Sequence, residues 1–204
     1  MPRGLEQVSG RRDDGTVPNV GTRPAVGADA DQMGLVMVES FLAVHRGQMP
    51  QAAYRKRVAE WTPEVSAQAW GRALAELADG RAQRDVLLVA EDDGGRLLGI
   101  VSGGAAEEEL STGAAEIGAL YVSPVRQREG IGRSLLRAAA AGLAEHGFTE
   151  LRISVLTANL PARPFYEAMG GREVGEGTVD EEGYLLPITV YGWPDVRALD
   201  LDRE

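Results

Sequence analysis

The spacing of apolar positions in this chain changes partway along it. Early on, "DADQMGLVMVESFLAVHRG" places Met33, Val36, Met37, Phe41 and Val44 three and four residues apart, after Asp29 or Asp31 as a cap. That period predicts a helix. "QAAYRKRVAEW" and "TPEVSAQAWGRALAELADG" predict one or two more; in the latter Pro63 follows Thr62 at the first turn and Gly80 ends it. A short strand is predicted ahead of them, over 20–26. From residue 85 the runs shorten. "DVLLVAE" and "RLLGIVSGG", joined by "DDGG", predict a hairpin. "AAEIGALYV" (114–122) predicts a strand, with a helix after it reaching about His146. "ELRISVLT" then predicts a strand, "LPARPFYEAMG" a helix stopped by Gly170 and Gly171, and "REVGE" and "LPITVYGW" two last strands.

The strand–helix–strand unit over 114–157 requires a parallel pair, and the hairpin before it makes the sheet mixed. The predicted fold class is therefore α/β, one mixed sheet of six to seven strands with about four flanking helices, in a single domain over 22–204. Residues 1–21, rich in glycine, proline and charge without periodicity, predict a disordered lead-in.

Composition narrows the chemistry. The 204 residues are 44% hydrophobic and contain no cysteine. That excludes disulfides, thiolate-bound metals and a cysteine nucleophile, and it predicts a reducing compartment. No run is long enough to span a membrane, and "MPRGLEQVSGRRDDG" lacks a signal-peptide core, so a cytoplasmic protein without membrane contact is expected. A net charge of −10 argues against nucleic acid as a partner. It suits a cationic substrate such as an amine, and equally suits solubility alone. The acidic run Glu107–Glu109 has the same two readings. His45 and His146 lack a partner pattern, so no metal site is expected.

Chemistry enters at "SPVRQREGIGRSLL", where Gly130 and Gly132 stand at the start of a predicted helix. The dinucleotide fingerprint fails, because Leu135 stands where a third glycine is needed. The P-loop fails too, because Lys56 is the only lysine. Two readings remain. Free N–H groups at a helix start bind a phosphate-like anion, with bare backbone at the glycines and Arg126, Arg128 and Arg133 around it. Alternatively, the glycines serve close helix–sheet packing.

"LYVSPVRQREGIGRSLL" resembles the cofactor motif of the GNAT-type N-acetyltransferase superfamily, with Gln127, Gly130 and Gly132 in its Q/R-x-x-G-x-G/A signature. "VLTANLPARPFYEAMGGREV" is similar to the family's later strand–helix–strand, with Asn159, Ala162, Phe165 and Tyr166 in N-x-x-A-x-x-F-Y. The resemblance covers 114–176 well. It implies a splayed GNAT-like sheet and acetyl-CoA as cofactor. It places the pyrophosphate on the main chain of Gln127, Arg128, Glu129, Gly130, Ile131, Gly132 and Arg133, extending to Ser134. The pantetheine arm would run beside Leu120, Tyr121 and Val122, with Leu120 and Val122 leaving N–H and C=O groups free and Pro124 ending the pairing.

The implied reaction is direct acetyl transfer to a primary amine of a small molecule or peptide. The Val122 N–H would hold the developing oxyanion. Tyr166 would be the acid for the leaving thiolate, or else an aromatic core contact. Glu116 would be the base, or else a solvated strand carboxylate. Strict alternation places Glu116, Gly118, Leu120 and Val122 on one face. Asn159 would bind cofactor or a bridging water, or else cap a turn. The acceptor is expected on the N-terminal helices, the loop over 46–54, the last strands and Tyr184. A non-catalytic coenzyme A-binding module is the alternative, a homodimer is compatible with the family, and a pure interaction protein would bind no acetyl-CoA.

Overall fold

A computed structural model describes residues 20–106 and 113–199 of the chain. The run Glu107–Glu109 and most of the predicted lead-in lie outside the described residues. Strand β1 (Gly21–Pro24) leads into helices α1 (Ala30–His45), α2 (Gln51–Glu60) and α3 (Pro63–Ala78). The rest alternates as β2 (Val86–Glu91), β3 (Leu97–Ala105), β4 (Ala114–Val122), α4 (Ile131–Glu145), β5 (Glu150–Leu156), α5 (Arg163–Ala168), β6 (Arg172–Glu181) and β7 (Tyr184–Trp193).

All seven strands form one sheet in the order β1-β2-β3-β4-β5-β7-β6, and only β4 and β5 run parallel. Both faces are covered, which explains the unbroken apolar runs of the central strands. Along β2, Val86 and Ala90 pack into the cluster under α4, while Leu87 and Val89 pack with Met33, Val36, Trp70 and Leu74 of α1 and α3. α3 begins as the sequence predicts: the Thr62 side chain accepts from the Val65 N–H, and Pro63 occupies the first turn. Gly34 lets α1 lie against α3; a Cβ there would meet the Pro63 carbonyl oxygen at 2.4 Å.

Two elements differ from the sequence prediction. The last hairpin is longer than the predicted 172–176 and 186–193, because β6 runs on to Glu181 and pairs with Tyr184. Its two-residue turn has φ of 58° at Glu182 and 84° at Gly183, the geometry a tight hairpin demands. The solvent-exposed, acidic and glycine-rich β6 carries almost no alternation to reveal this. Helix α5 is shorter than predicted, since residues 160–162 form turns before it.

Two interruptions in β4 position the site. The register against β3 slips between Ser102, opposite Ala119, and Gly103, opposite Ile117. Gly118 is thus an unpaired bulge. On its other side β4 pairs β5 only from Ala114/Glu150 to Ile117/Ile153. Beyond that point β5 continues to Leu156 against β7, and the sheet splits.

Candidate active site

The split has one wall in the second half of β4. The Ser123 N–H donates to the Leu98 carbonyl at 2.8 Å, closing the ladder with β3. Antiparallel alternation then turns the main-chain groups of Tyr121 toward Ile100, and those of Leu120 and Val122 away from β3 toward the split. The Leu120 groups and the Val122 N–H therefore face the split. The Val122 carbonyl is not free as expected: it accepts from Ser40 Oγ at 3.1 Å and Gln127 Nε2 at 3.4 Å. Tyr121 offers its phenol rather than its backbone. That phenol lies between the clusters under α1, α3 and α2, where burial pushes its pKa up to about 12.

The strand ends at Pro124, and a loop brings the chain to α4. Arg128 and Gly130 both take positive φ, 69° and 83°. At Arg128 this is a sparsely populated conformation for a residue with a side chain. No side chain caps α4, so the first-turn N–H groups from Ile131 to Arg133 point out of the helix without a capping partner. A Cβ at Gly130 would meet nothing within 4 Å, so the space over the helix end is open. Gly132 differs: its Cβ would touch Phe165 and Val122 at 3.6 Å. Gly130 thus fits the bare-backbone reading, whereas at Gly132 a Cβ would make only ordinary contacts, so close packing does not require a glycine there. Arg126 is tied to Glu129 at 2.8 Å, whereas Arg128 and Arg133 are exposed and ion-paired with nothing among the described residues. The Ser134 hydroxyl meets Thr22 Oγ1 of β1 at 3.0 Å.

α5 closes the site from beyond β5. Phe165 packs on the cluster under α4, and Tyr166 beside it is buried among Phe165, Tyr191 and Trp193. Burial raises the Tyr166 phenol above the usual tyrosine range, with a smaller push from nearby Tyr121. The Tyr191 hydroxyl is held by Arg163, Glu167 and Glu173, which fixes the ring against Tyr166. Asn159 is buried in the turn after β5, where its N–H donates to the Leu156 carbonyl at 2.7 Å.

Glu116 is not on the face of Leu120 and Val122. Ala115 and Ile117 point into the cluster under α4, yet so do Leu120 and Val122, while Ala119 and Tyr121 point to α1 and α3. The bulge at Gly118 reverses the alternation, and Glu116 shares the face of Ala119 and Tyr121. There Ser154 Oγ donates to Glu116 Oε1 at 3.1 Å.

That face is walled by α1, α2 and the last hairpin, with Phe41, Met49, Leu156 and Leu186 as its apolar centre. Arg57 of α2 ion-pairs with Glu181 and Glu182 of the hairpin, and Lys56 meets Glu182 at 2.9 Å. His45 is stacked on Phe41; its Nδ1–H donates to the Phe41 carbonyl and burial lowers its pKa. Tyr184 sits exposed at the hairpin tip. Sequence reasoning missed Ser40, Ser154 and the Arg57–Glu181 pair. Only Ser40 left a signal, as a serine one residue before Phe41 on the apolar face of α1.

Comparison with known proteins shows the family and the fold. The model of the acetyltransferase (GNAT) family matches residues 51–171. YuaI of Bacillus subtilis (strain 168), an uncharacterised N-acetyltransferase, is 35% identical over 113 residues, 55% of this chain and 65% of that protein. The chain thus spans less than two thirds of that relative's length. YiaC of Escherichia coli (strain K12), a peptidyl-lysine N-acetyltransferase, is 29% identical over 137 residues, 67% of this chain and 83% of that protein. The crystal structure of the PaiA N-acetyltransferase of Thermoplasma acidophilum in complex with coenzyme A superposes with a TM-score of 0.60 at 19% identity, covering 84% of this chain and 98% of that one.

Proposed function

The chain belongs to the GNAT acetyltransferase family, and from that premise we propose that it transfers the acetyl group of acetyl-CoA directly to the primary amine of a small molecule or peptide. The observation that carries this reading is the split itself. The Val122 N–H is turned into it, and the uncapped first turn of α4 lies against Val122 through Gly132.

Acetyl-CoA, when bound, supplies an activated acetyl thioester. The open N–H groups at the start of α4, with Arg128 and Arg133 beside them, suit its pyrophosphate. The Leu120 groups offer an extended arm the hydrogen bonds of a strand edge. The Val122 N–H donates to the thioester oxygen as negative charge develops there. Asn159 holds the cofactor or a bridging water.

The acceptor's difficulty is its proton. An alkylammonium of pKa ~10.4 is neutral in about one molecule in 2,500 at pH 7, a deficit of roughly 4.6 kcal/mol. Glu116 takes that proton, directly or through water, to free the amine, and a second N–H proton leaves for solvent as the N–C bond forms. Tyr166 gives a proton to the sulfur as the C–S bond breaks, and recovers one from solvent. The balance is one proton released for each ammonium acetylated.

Calorimetry with acetyl-CoA, followed by thiol release against a panel of amines, tests the reading. Binding with amine-dependent release supports it. Binding without release by any amine leaves a coenzyme A-binding module, and no binding removes both.

A further inference from the structure

Among the cations of α2 and the loop before it, two are neutralised and two are not. Lys56 and Arg57 are paired with the hairpin carboxylates Glu181 and Glu182. Arg46 and Arg55 are exposed and make no ion pair among the described residues, in a chain whose net charge is −10. They line the same cleft, of about 390 Å³, whose remaining walls are Gly47, Met49, Gln51 and Tyr54. That volume is in the range of small-molecule sites.

Three features give the cleft its chemistry. Gln51, Tyr54 and Arg55 are spaced three and four apart on α2, so they share one face of it. Pro50 caps α2 with no side-chain bond, so the positive helix end at Gln51 adds to the two guanidinium groups. Met49 and Tyr54 supply apolar surface and belong to the same cluster as Leu156 and Tyr121, residues of the two strands that diverge at the split. The cleft therefore lies on the acceptor flank and pairs an apolar wall with an unneutralised positive rim.

Resting on the acetyltransfer reading, we infer that the cleft binds a carboxylate carried by the acceptor, and that the acceptor holds its amine and its acid group at opposite ends of an apolar body, as a short peptide or an ω-amino acid does. Its ammonium is oriented toward Glu116 and its carboxylate toward Arg46 and Arg55. A planar guanidinium matches a carboxylate in two-point contact, which a single lysine could not supply.

The test uses the full chain, with arginine Nε–H signals observed by NMR and assigned through Arg46→Gln and Arg55→Gln. The probes are N-acetyl-leucine, its uncharged amide, inorganic phosphate and coenzyme A. The acid is expected to shift the Arg46 and Arg55 signals saturably and the amide not, with Arg55→Gln weakening the acid about tenfold. Equal response to acid and amide, or no response of either arginine, overturns the inference. A response to phosphate or coenzyme A stronger than to the acid assigns the cleft to a phosphate and overturns it as well. Thiol release from acetyl-CoA is measured separately on the same protein, so failure of acetyl transfer is told apart from failure of the carboxylate site.

Discussion

Ser154 Oγ donates a hydrogen bond to Glu116 Oε1 across 3.1 Å, joining β5 to β4 beside their last pair, Ile117/Ile153. The carboxylate is thus anchored at the root of the split. The bulge at Gly118 sets it on the face of Tyr121, opposite the face on which Val122 meets α4. Glu116 and the uncapped start of α4 therefore lie on opposite faces of one strand, with the Val122 N–H between them. An amine arriving from the α1–α2 side and a thioester lying along the split would meet at that main chain.

If Glu116 collects the acceptor's proton, Glu116→Gln should lower kcat/KM by about 10²-fold at pH 6–7 and by progressively less as pH rises and free amine accumulates. Ser154→Ala should have the same pH signature at roughly tenfold or less, since it removes one hydrogen bond to a charged group. Thiol-release kinetics over pH decide it: a loss in Glu116→Gln that is equal at every pH assigns Glu116 a structural role.

Tyr166 as general acid predicts a different profile. Its phenol is held above the ordinary tyrosine range by burial, so it stays protonated where an exposed tyrosine would ionise. Tyr166→Phe should reduce kcat by about 10²-fold with little change in acetyl-CoA affinity. The wild type should show no falling limb near pH ~10, the exposed-tyrosine value. A falling limb there that disappears in Tyr166→Phe would contradict the buried placement.

The same burial makes stability depend on alkaline pH. In the unfolded chain both phenols ionise near ~10. In the folded chain Tyr121 ionises at about 12 and Tyr166 is raised as well. The folded state then binds more protons above pH ~10, so stability is complete below that pH and falls as pH rises through the folded values. For Tyr121 the loss is on the order of 2 kcal/mol by pH 12. Urea unfolding at pH 9 to 12 should show Tyr121→Phe with a flatter decline than wild type, and parallel declines would contradict this coupling.

Most of this fold was legible because its periods are strong. The run over 114–122 was bounded correctly, since β4 carries an apolar residue at nearly every position and ends at a proline. A loop with glycines at the start of α4 was legible through spacing, although spacing alone left anion binding and close packing both open. The facing of Glu116 was not. Alternation rules assume an unbroken ladder, and a glycine bulge writes no more in the sequence than a glycine in register. The difference between Gly130 and Gly132 was equally hidden, because the sequence does not show that one has open space and the other ordinary contacts where a Cβ would stand. Arg57 and Glu181, far apart in the chain, meet only because the last hairpin extends through a segment without periodicity.

The two glycines now separate into distinct predictions. Gly130 adopts φ of 83° with open space where a Cβ would stand. Alanine there strains the backbone by about 1–2 kcal/mol and pushes a methyl group into the volume above the first turn of α4. Gly130→Ala should therefore lose both stability and at least about tenfold in acetyl-CoA affinity. Gly132 lies inside α4, and its missing Cβ points at Phe165 and Val122 at 3.6 Å, an ordinary contact distance. Gly132→Ala should gain up to about 1 kcal/mol of helix stability and leave affinity within about twofold. Calorimetry with acetyl-CoA beside urea unfolding reads both quantities on each variant. Should Gly130→Ala bind acetyl-CoA like wild type, the pyrophosphate does not lie over this helix end. Should Gly132→Ala lose affinity as Gly130→Ala does, both glycines face the anion.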